Sequence, residues 1–193
     1  MVLNKSNPES ISIVSELIAG GGVGVLPCDT IYGLCSIYGI GEKPLRYVKN
    51  RPETKPFLVI CTLEQARELT GDTIPGDILD IWPAPLTVIL NSKEGKPLAM
   101  RVPRDAFLTE LLRTIGSPVY STSVNTSGEP TLLNFSEIRQ RFEPVVDFLV
   151  KGQEQQGTVP STIIDATVYP YRILRQGAYD ISSLIEKQTA TAG

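Results

Sequence analysis

The apolar residues of this chain lie in short runs separated by polar clusters, with helical segments between them. The runs with the length and composition of β-strands are Val23–Leu26, Phe57–Ile60, Leu86–Leu90, Leu98–Val102, Pro118–Ser121, Val145–Val150 and Thr162–Ile164. The segments with helical signals begin near Pro8, Pro44, Thr62, Ile78, Asp105, Ser136 and Asp180. Because strands and helices are intermixed without strict alternation, we predict an α/β (α+β) fold with one twisted, mixed β-sheet flanked by helices.

The length of 193 residues fits one domain. The chain contains no internal repeat, low-complexity run or convincing linker. We therefore predict a single domain over residues 1–193, with a core at about residues 8–187 and a frayed tail at 188–193.

The chain contains no histidine, which excludes a Ser-His-Asp triad, a Cys-His pair and a His-ligated metal site within it. The three cysteines, Cys28, Cys35 and Cys61, show no CxxC spacing and are odd in number. This usage is typical of free thiols in a reducing compartment. No early segment has the basic start and long apolar run of a signal peptide, so we expect a cytoplasmic protein without membrane contact. The formal net charge of −3 argues against a broad basic surface for nucleic acid.

Four polar clusters interrupt the apolar segments at positions where binding loops are common in sheet-based folds. They are Pro27–Leu34, Lys49–Pro56, Ser121–Gly128 and Pro160–Thr162, the last of them followed by Arg175. Taken alone, a hydroxyl-rich run more often forms a turn than a binding site, and a Lys-x-Arg pair more often lies on a solvated surface than in a site. Together, cations and hydroxyl or amide donors without clustered acids suit an anionic ligand rather than a metal.

Phosphate is the favoured anion, although the chain has neither a GxxxxGK[ST] loop nor a GxGxxG motif. The glycine-rich run Gly20–Gly24 precedes a strand instead of following it, so we interpret it as a helix terminator. Cys28 has no histidine to activate it as a nucleophile, which favours a packed thiol. The segment from Trp82 to Pro85 is most simply structural.

The four clusters resemble, in order, the signature of the YrdC-like family of threonylcarbamoyl-AMP synthases. The matching segments are PCDTIYGL, KNRPETKP, WPAPLT, RVP, SVNTSG, PST and RQG. The resemblance runs from about Gly22 to Gly177. The chain resembles the short, single-domain form of the family. Two positions depart from the family pattern: Cys28 replaces a Thr, and Ala84 replaces a Gly. A cysteine at position 28 forms a weaker hydrogen bond than the threonine it replaces. The alanine at position 84 is tolerated only if its φ is not positive.

The resemblance implies a concave, positively charged sheet face and a reaction of L-threonine, bicarbonate and ATP. The products are threonylcarbamoyl-AMP and pyrophosphate, and other proteins later pass the threonylcarbamoyl group to adenosine in tRNA. Carboxylated threonine would supply the attacking oxygen, so the enzyme needs no nucleophile of its own. Its work is positioning and electrostatic stabilisation. Mg²⁺ is expected with ATP, held mainly by phosphate oxygens and water.

The resemblance also implies roles for individual residues. The expected ATP-binding residues are Lys49, Arg51, Lys55, Ser121, Asn125 and Arg175, of which Lys49 and Arg51 are the catalytic candidates. The expected threonine-binding residues are Thr30, Ser123 and Ser161, with Tyr32 as a wall. Arg101 is a further candidate, and a structural ion pair is an equally good interpretation of it. Asp29 is interpreted as a loop-forming acid rather than a base.

Two other functions remain open from the sequence. The first is a non-catalytic module for RNA, either tRNA or double-stranded RNA, using the cations Lys49, Arg51, Lys55, Arg101 and Arg104. The acidic charge balance disfavours this function. The second is a paralogue of the family with altered activity, a hypothesis that the change at Cys28 leaves open.

Overall fold

A computed structural model describes residues 1–152 and 159–191 and shows one mixed sheet with helices packed on it. The strands in these ranges are β1 (Val2–Asn4), β2 (Gly24–Pro27), β3 (Tyr32–Ile37), β4 (Leu58–Ile60), β5 (Leu86–Asn91), β6 (Pro97–Arg101), β7 (Val119–Ser123), β8 (Phe148–Lys151), β9 (Thr162–Asp165) and β10 (Arg172–Arg175). The helices are α1 (Glu9–Ala19), α2 (Glu42–Lys49), α3 (Leu63–Thr70), α4 (Gly76–Leu79), α5 (Ala106–Ile115), α6 (Phe135–Phe142) and α7 (Ser182–Thr191). The predicted fold class is confirmed.

The strands are arranged in the order β1-β8-β2-β3-β7-β4-β6-β5-β9-β10. The pairs β1/β8, β2/β8, β4/β6 and β5/β9 are parallel, and the other neighbouring strands are antiparallel. Because most neighbours in this order are distant in sequence, the sheet brings together side chains from all four polar clusters.

No helix in the described ranges is long and apolar enough to cross a membrane.

Alternation of side chains along the strands divides the core between the two faces of the sheet. In β2, Leu26 packs in a cluster with helices α1 and α5, whereas its neighbour Val25 packs in a cluster with α2 and α6. In β8, Phe148 and Leu149 divide between the same two clusters. A third cluster gathers α3, α4 and α7 around β5 and β6. The helices therefore cover both faces.

Several helix ends follow the local signals in the sequence. The Thr62 hydroxyl accepts a hydrogen bond from Gln65 N at 3.2 Å, and the Gln65 side chain accepts one from Thr62 N, which completes a capping box. Asp105 Oδ1 caps α5 by accepting from Leu108 N at 3.1 Å. Gly20 ends α1, as the helix-terminator interpretation predicts. Asp180 accepts from Ser182, the first residue of α7.

Three strands were not predicted: β1, β3 and β10. The segment Pro27–Leu34, predicted to be a polar loop, is the end of one hairpin strand and the start of the next, because β2 pairs antiparallel with β3 and Pro27 lies opposite Tyr32. Strand β10 lies at the sheet edge and all its residues are exposed; its sequence, RILR, has two adjacent apolar residues and lacks the alternation typical of a half-buried strand.

Some predicted boundaries were also wrong. The helix expected at Ile78–Trp82 is instead Gly76–Leu79, and Trp82 is buried with its indole donating to Leu86 O at 3.0 Å. This contact supports the structural interpretation of Trp82. The predicted tail at 188–193 overlaps α7, which extends to Thr191, and the remaining tail residues lie outside the described ranges. Gln188 is buried and accepts from Tyr171 N at 3.0 Å, which explains why the helix continues there.

The substitution Gly24→Ala, which adds a methyl group, tests the packing between β2 and β8. A Cβ at this position would lie 2.2 to 2.4 Å from ring carbons of the fully buried Phe148. We expect Gly24→Ala to lower the free energy of unfolding by about 1 to 3 kcal/mol, as overpacked cores do. Urea denaturation followed by circular dichroism measures this change.

The matched control is Gly76→Ala, because a Cβ at Gly76 would have nothing within 4 Å. This variant should lose no stability. A Gly24→Ala protein as stable as the wild type would contradict the described packing of Phe148.

Candidate functional site

A cleft of about 440 Å³ lies against one face of the sheet, within the size range of small-molecule sites. Its floor consists of alternate residues on neighbouring strands, which point to the same side. These residues include Thr87 and Ile89 on β5, Ala99 and Arg101 on β6, and Ser121 and Ser123 on β7. Loops add Thr30, Arg51 and Ser161, and β10 adds Arg175. The cleft therefore joins residues from all four polar clusters.

Three arginines line this cleft: Arg51, Arg101 and Arg175. The lining in the described part of the chain includes no Asp or Glu, and none of the ion pairs found there involves these arginines. Guanidinium groups close together without carboxylates create a positive potential that favours an anion. The arrangement suits phosphate or carboxylate oxygens.

Arg51 is held by backbone carbonyls and an aromatic ring. Its Nε donates to Lys55 O at 3.1 Å and its Nη2 donates to Pro56 O at 2.7 Å. The guanidinium carbon lies 5.1 Å from the centre of the Phe57 ring, a cation–π distance. Burial, and next the charge of Arg46, lower the pKa of Arg51 below its ordinary value. These contacts fix the side chain without cancelling its charge.

Arg175 is held in a similar way by Ser161. Its Nε and Nη2 donate to Ser161 O at 3.0 and 2.7 Å, and Nη2 also donates to Ser161 Oγ at 3.2 Å. Burial, and next the charge of Arg101, lower the pKa of Arg175. Arg101 and Arg175 both line the cleft, so their charges add to the same positive potential.

Arg101 is only 3% exposed, and its Nη1 lies 3.5 Å from Thr30 Oγ1. Its Nε is buried and has no hydrogen-bond partner within the described residues. The alternative interpretation of Arg101, a structural ion pair, therefore has no support in this part of the chain. An unsatisfied buried donor on a residue of the cleft floor is consistent with an anionic ligand.

The predicted threonine-binding residues Thr30, Tyr32, Ser123 and Ser161 all line the cleft. The Tyr32 hydroxyl accepts from Gly152 N at 3.0 Å, and its ring centre lies 5.7 Å from that of Phe135. These contacts hold the ring in the wall, where the sequence predicts it. The ligand-binding roles themselves stay predictions.

Lys49 and Asn125 lie behind the cleft instead of lining it. Lys49 is 1% exposed, and its ammonium donates to Ser123 O and Asn125 Oδ1. Asn125 Nδ2 donates to Glu129 O at 2.6 Å, and Ser127 N donates to Lys49 O at 3.0 Å. Lys49 thus links the end of α2 to the polar loop that follows β7. Burial, and next the charge of Arg51, lower the pKa of Lys49 to about 7.

Of the remaining predicted site residues, Ser121 lines the cleft, whereas Lys55 is exposed and lies outside it. Asp29 has a structural role: its carboxylate accepts from Arg104 N and Asp105 N, each at 3.1 Å, and so ties its loop to the start of α5.

All three cysteines are buried and none forms a disulfide, in agreement with packed thiols. Cys28 also lines the cleft; hydrogen bonding with Cys35, and less strongly the charge of Arg101, lower the pKa of Cys28. Ala84 does not have a positive φ, so the second departure from the family pattern is tolerated.

Sequence reasoning missed Thr87 and Phe57 as parts of this site. Thr87 closes the WPAPLT segment, and Phe57 directly follows KNRPETKP, so a signal for both was present. Their side chains could be placed only from the strand register and the cation–π contact. The described residues include no group of three or more Cys, Asp or Glu side chains that could hold a metal.

Comparison with known families gives a match over residues 16–177 to the Sua5/YciO/YrdC model, which carries the description "telomere recombination". This chain belongs to the Sua5/YciO/YrdC family. Every residue that lines the cleft, from Cys28 to Arg175, lies within the matched range. The family resemblance of the motifs is therefore confirmed.

Relatives within the family have similar sequences and folds. A threonylcarbamoyl-AMP synthase of Pyrococcus abyssi is 27% identical over 191 residues, a match that covers 90% of this chain and 56% of the relative. The crystal structure of P. abyssi Sua5 complexed with L-threonine shares the fold, with a TM-score of 0.87, 24% identity and coverage of 96% of this chain and 60% of that one. The chain thus spans little more than half of these relatives.

The crystal structure of E. coli YciO is also similar, with a TM-score of 0.82 and 26% identity. In this case the match covers 94% of the present chain and 97% of the other. The fold is therefore shared by family members of different lengths.

The lowered pKa of Lys49 makes a testable contribution to stability. Between about pH 7 and 10.5 the unfolded chain keeps a proton that folded Lys49 has lost, so stability rises with pH in this window. Lys49→Met removes this dependence. We expect the difference in unfolding free energy, variant minus wild type, to fall by at least about 1 kcal/mol from pH 7 to pH 9. Urea denaturation at each pH measures it.

The same substitution at Lys96, which is exposed on the turn before β6, controls for the loss of a lysine elsewhere. If the difference at position 49 is constant across this range, Lys49 does not titrate there.

Proposed function

We propose that this chain is an L-threonylcarbamoyl-AMP synthase. It joins L-threonine, bicarbonate and ATP to give threonylcarbamoyl-AMP, pyrophosphate and water. The product supplies the threonylcarbamoyl group that other proteins transfer to adenosine in tRNA. The cytoplasmic location predicted from the sequence is part of this proposal.

The observation that carries the proposal is the set of three arginines and several hydroxyls in one cleft, to which the described residues add no carboxylate. Two substrates of the proposed reaction, ATP and bicarbonate, are anions, and the third, threonine, carries a carboxylate. Each of them can therefore accept hydrogen bonds from guanidinium and hydroxyl groups. The P. abyssi relative is named a threonylcarbamoyl-AMP synthase, and the related Sua5 structure is a complex with L-threonine. Both comparisons agree with the chemistry of the lining.

In the proposed reaction the amino group of threonine first takes up CO₂ from bicarbonate, with loss of water, to form a carbamate. A carbamate oxygen then attacks the α-phosphorus of ATP, and the bond from this phosphorus to the pyrophosphate oxygen breaks. No side chain of the protein acts as a nucleophile. Arg51 and Arg175 would stabilise negative charge on the phosphates, because their guanidiniums are already fixed and partly desolvated.

The amino-acid part of the substrate would contact Thr30, Ser123 and Ser161 on the opposite strands and loops of the cleft. Lys49 and Asn125 would then act by holding the Ser123 segment in place, rather than by the direct contact with phosphate that the motif implies. Lys55 would meet the triphosphate only from the rim. These assignments divide the site into a nucleotide part and an amino-acid part.

Mg²⁺ is proposed to enter with ATP. The lining offers hydroxyls and guanidiniums, which fit phosphate oxygens better than a metal, so phosphate and water would supply most of the ligands. When bound, the ion would neutralise charge on the phosphates.

Burial weighs against the RNA-binding alternative. Lys49 and Arg101, two of the five cations that motivate it, are 1% and 3% exposed. Nε of Arg104, another of the five, donates to Pro83 O at 2.6 Å. Backbone phosphates of RNA require cations on an accessible surface. A paralogue with altered activity remains the alternative that the assay below addresses.

Pyrophosphate release tests the function directly. The purified protein should release pyrophosphate from ATP only when L-threonine and bicarbonate are both present, because the attacking carbamate forms from the two. Release is measured with a coupled phosphate assay in the complete mixture and after omission of each substrate. Equal release of pyrophosphate without threonine would contradict the proposal.

Substitution of Arg51 tests the role of the arginine cleft. We expect Arg51→Ala to lower kcat more than tenfold, since a fixed donor to transition-state charge typically contributes several kcal/mol. The matched control is Arg113→Ala, which removes an exposed arginine of α5 that does not line the cleft. Near-normal turnover in a folded Arg51→Ala protein would remove Arg51 from the site.

A further inference from the structure

Thr87 carries a buried hydroxyl on the floor of the cleft whose described contact is a single side chain. It is 2% exposed, and its Oγ1 lies 3.0 Å from Ser161 Oγ, where either atom could be the donor. The parallel pairing of β5 with β9, which sets Thr87 opposite Ile163, brings the two hydroxyls together. Because Ser161 is a predicted substrate contact, the direction in which each of the two hydroxyls donates its proton affects the ligand site.

Ser161 is fixed by neighbours on both sides. Its Oγ accepts from Arg175 Nη2 at 3.2 Å, and its carbonyl accepts two further hydrogen bonds from the same guanidinium. The next residue, Thr162, accepts from Gly177 N at 2.9 Å and from Tyr179 N at 3.1 Å. The Ser161 hydroxyl therefore has a defined position and can change only the direction of its proton.

Proton counting limits the arrangements of this pair. A guanidinium only donates, so Arg175 always occupies one lone pair of Ser161 Oγ. If Thr87 donates to the other lone pair, the Ser161 proton is left for a third partner. If Ser161 donates to Thr87, the remaining proton belongs to Thr87 instead. In both cases the pair keeps one proton that the described residues do not accept.

The charge of Arg175 favours the first arrangement. A hydroxyl that accepts two hydrogen bonds, one of them from a cation, becomes a stronger donor. The Ser161 hydroxyl lines the cleft, and an anion bound near the arginines would accept its proton. With such a ligand present, Thr87 must be the donor to Ser161.

We propose that Thr87 is a positioning residue that donates to Ser161 and directs the Ser161 hydroxyl proton toward the carboxylate of the amino-acid substrate. This inference deepens the proposed function and rests on its assignment of Ser161 to the amino-acid part of the cleft. Thr87 itself need not touch the substrate. Its effect on binding passes through Ser161.

Isothermal titration calorimetry with L-threonine tests the inference without turnover. We expect Thr87→Val to raise the Kd for L-threonine about tenfold, as the loss of one oriented hydrogen bond to a charged group does. Thr87→Ser keeps the hydroxyl and should stay within about threefold of the wild type. The matched control is Thr70→Val, since Thr70 is also 2% exposed but donates to Ala66 O within α3, away from the cleft.

A double-mutant cycle separates positioning from a general structural effect. Ser161→Ala should weaken L-threonine binding by itself, and adding Thr87→Val to it should cost less than a further twofold. Thermal unfolding verifies that each variant is folded, and Thr87→Ala provides a second hydroxyl-free variant if Thr87→Val does not fold.

Three results with the variants would overturn the inference. They are an unchanged Kd in folded Thr87→Val, an equal loss in Thr87→Ser, and full additivity with Ser161→Ala. A wild-type protein that does not bind L-threonine would overturn it as well. The pyrophosphate assay decides the proposed function separately, so binding without turnover would refute the synthase and leave the role of Thr87 supported.

Discussion

Within the described residues, backbone carbonyls rather than carboxylates hold three cations in and behind the cleft. Lys49 donates to Ser123 O, Arg51 to Pro56 O and Arg175 to Ser161 O. A carbonyl satisfies a donor and reduces the cost of burying it, but it adds no negative charge. The positive potential of the cleft survives for this reason. The segments that supply these carbonyls belong to three of the four polar clusters of the sequence, so the same segments build the fold and its charge.

The position of the cleft follows from the sheet. Helices cover both faces, but across β5, β6 and β7 the alternate residues of one face are mainly small, hydroxyl-bearing or cationic. Such residues do not form an apolar surface against which a helix could pack. The same alternation that places apolar side chains in the core thus leaves a polar depression open to ligands. Its floor consists of regular strands, which hold donors more rigidly than free loops do.

Membership in the Sua5/YciO/YrdC family and the geometry of the cleft support each other. The family match extends over residues 16–177, and the cleft is lined entirely from this range. The P. abyssi relative is much longer than the part that this chain matches, whereas E. coli YciO is matched over 97% of its length. What this chain shares with both relatives is the fold that carries the cleft in this protein.

The sequence by itself determined the features that depend on neighbours a few residues apart. The caps at Thr62 and Asp105 and the end of α1 at Gly20 are of this kind, because a cap needs only a side chain and a backbone group within one turn. The joint spacing of the motifs also indicated that Arg51, Ser161 and Arg175 serve one anion site.

Only the tertiary structure decided which side chains face the cleft. Lys49 and Arg51 are two residues apart, yet Lys49 turns toward Asn125 behind the cleft and Arg51 turns into it. The partnership of Thr87 with Ser161 joins residues 74 positions apart and depends on the register between β5 and β9. Register and burial arise from the packing of the whole sheet, and no local pattern encodes them.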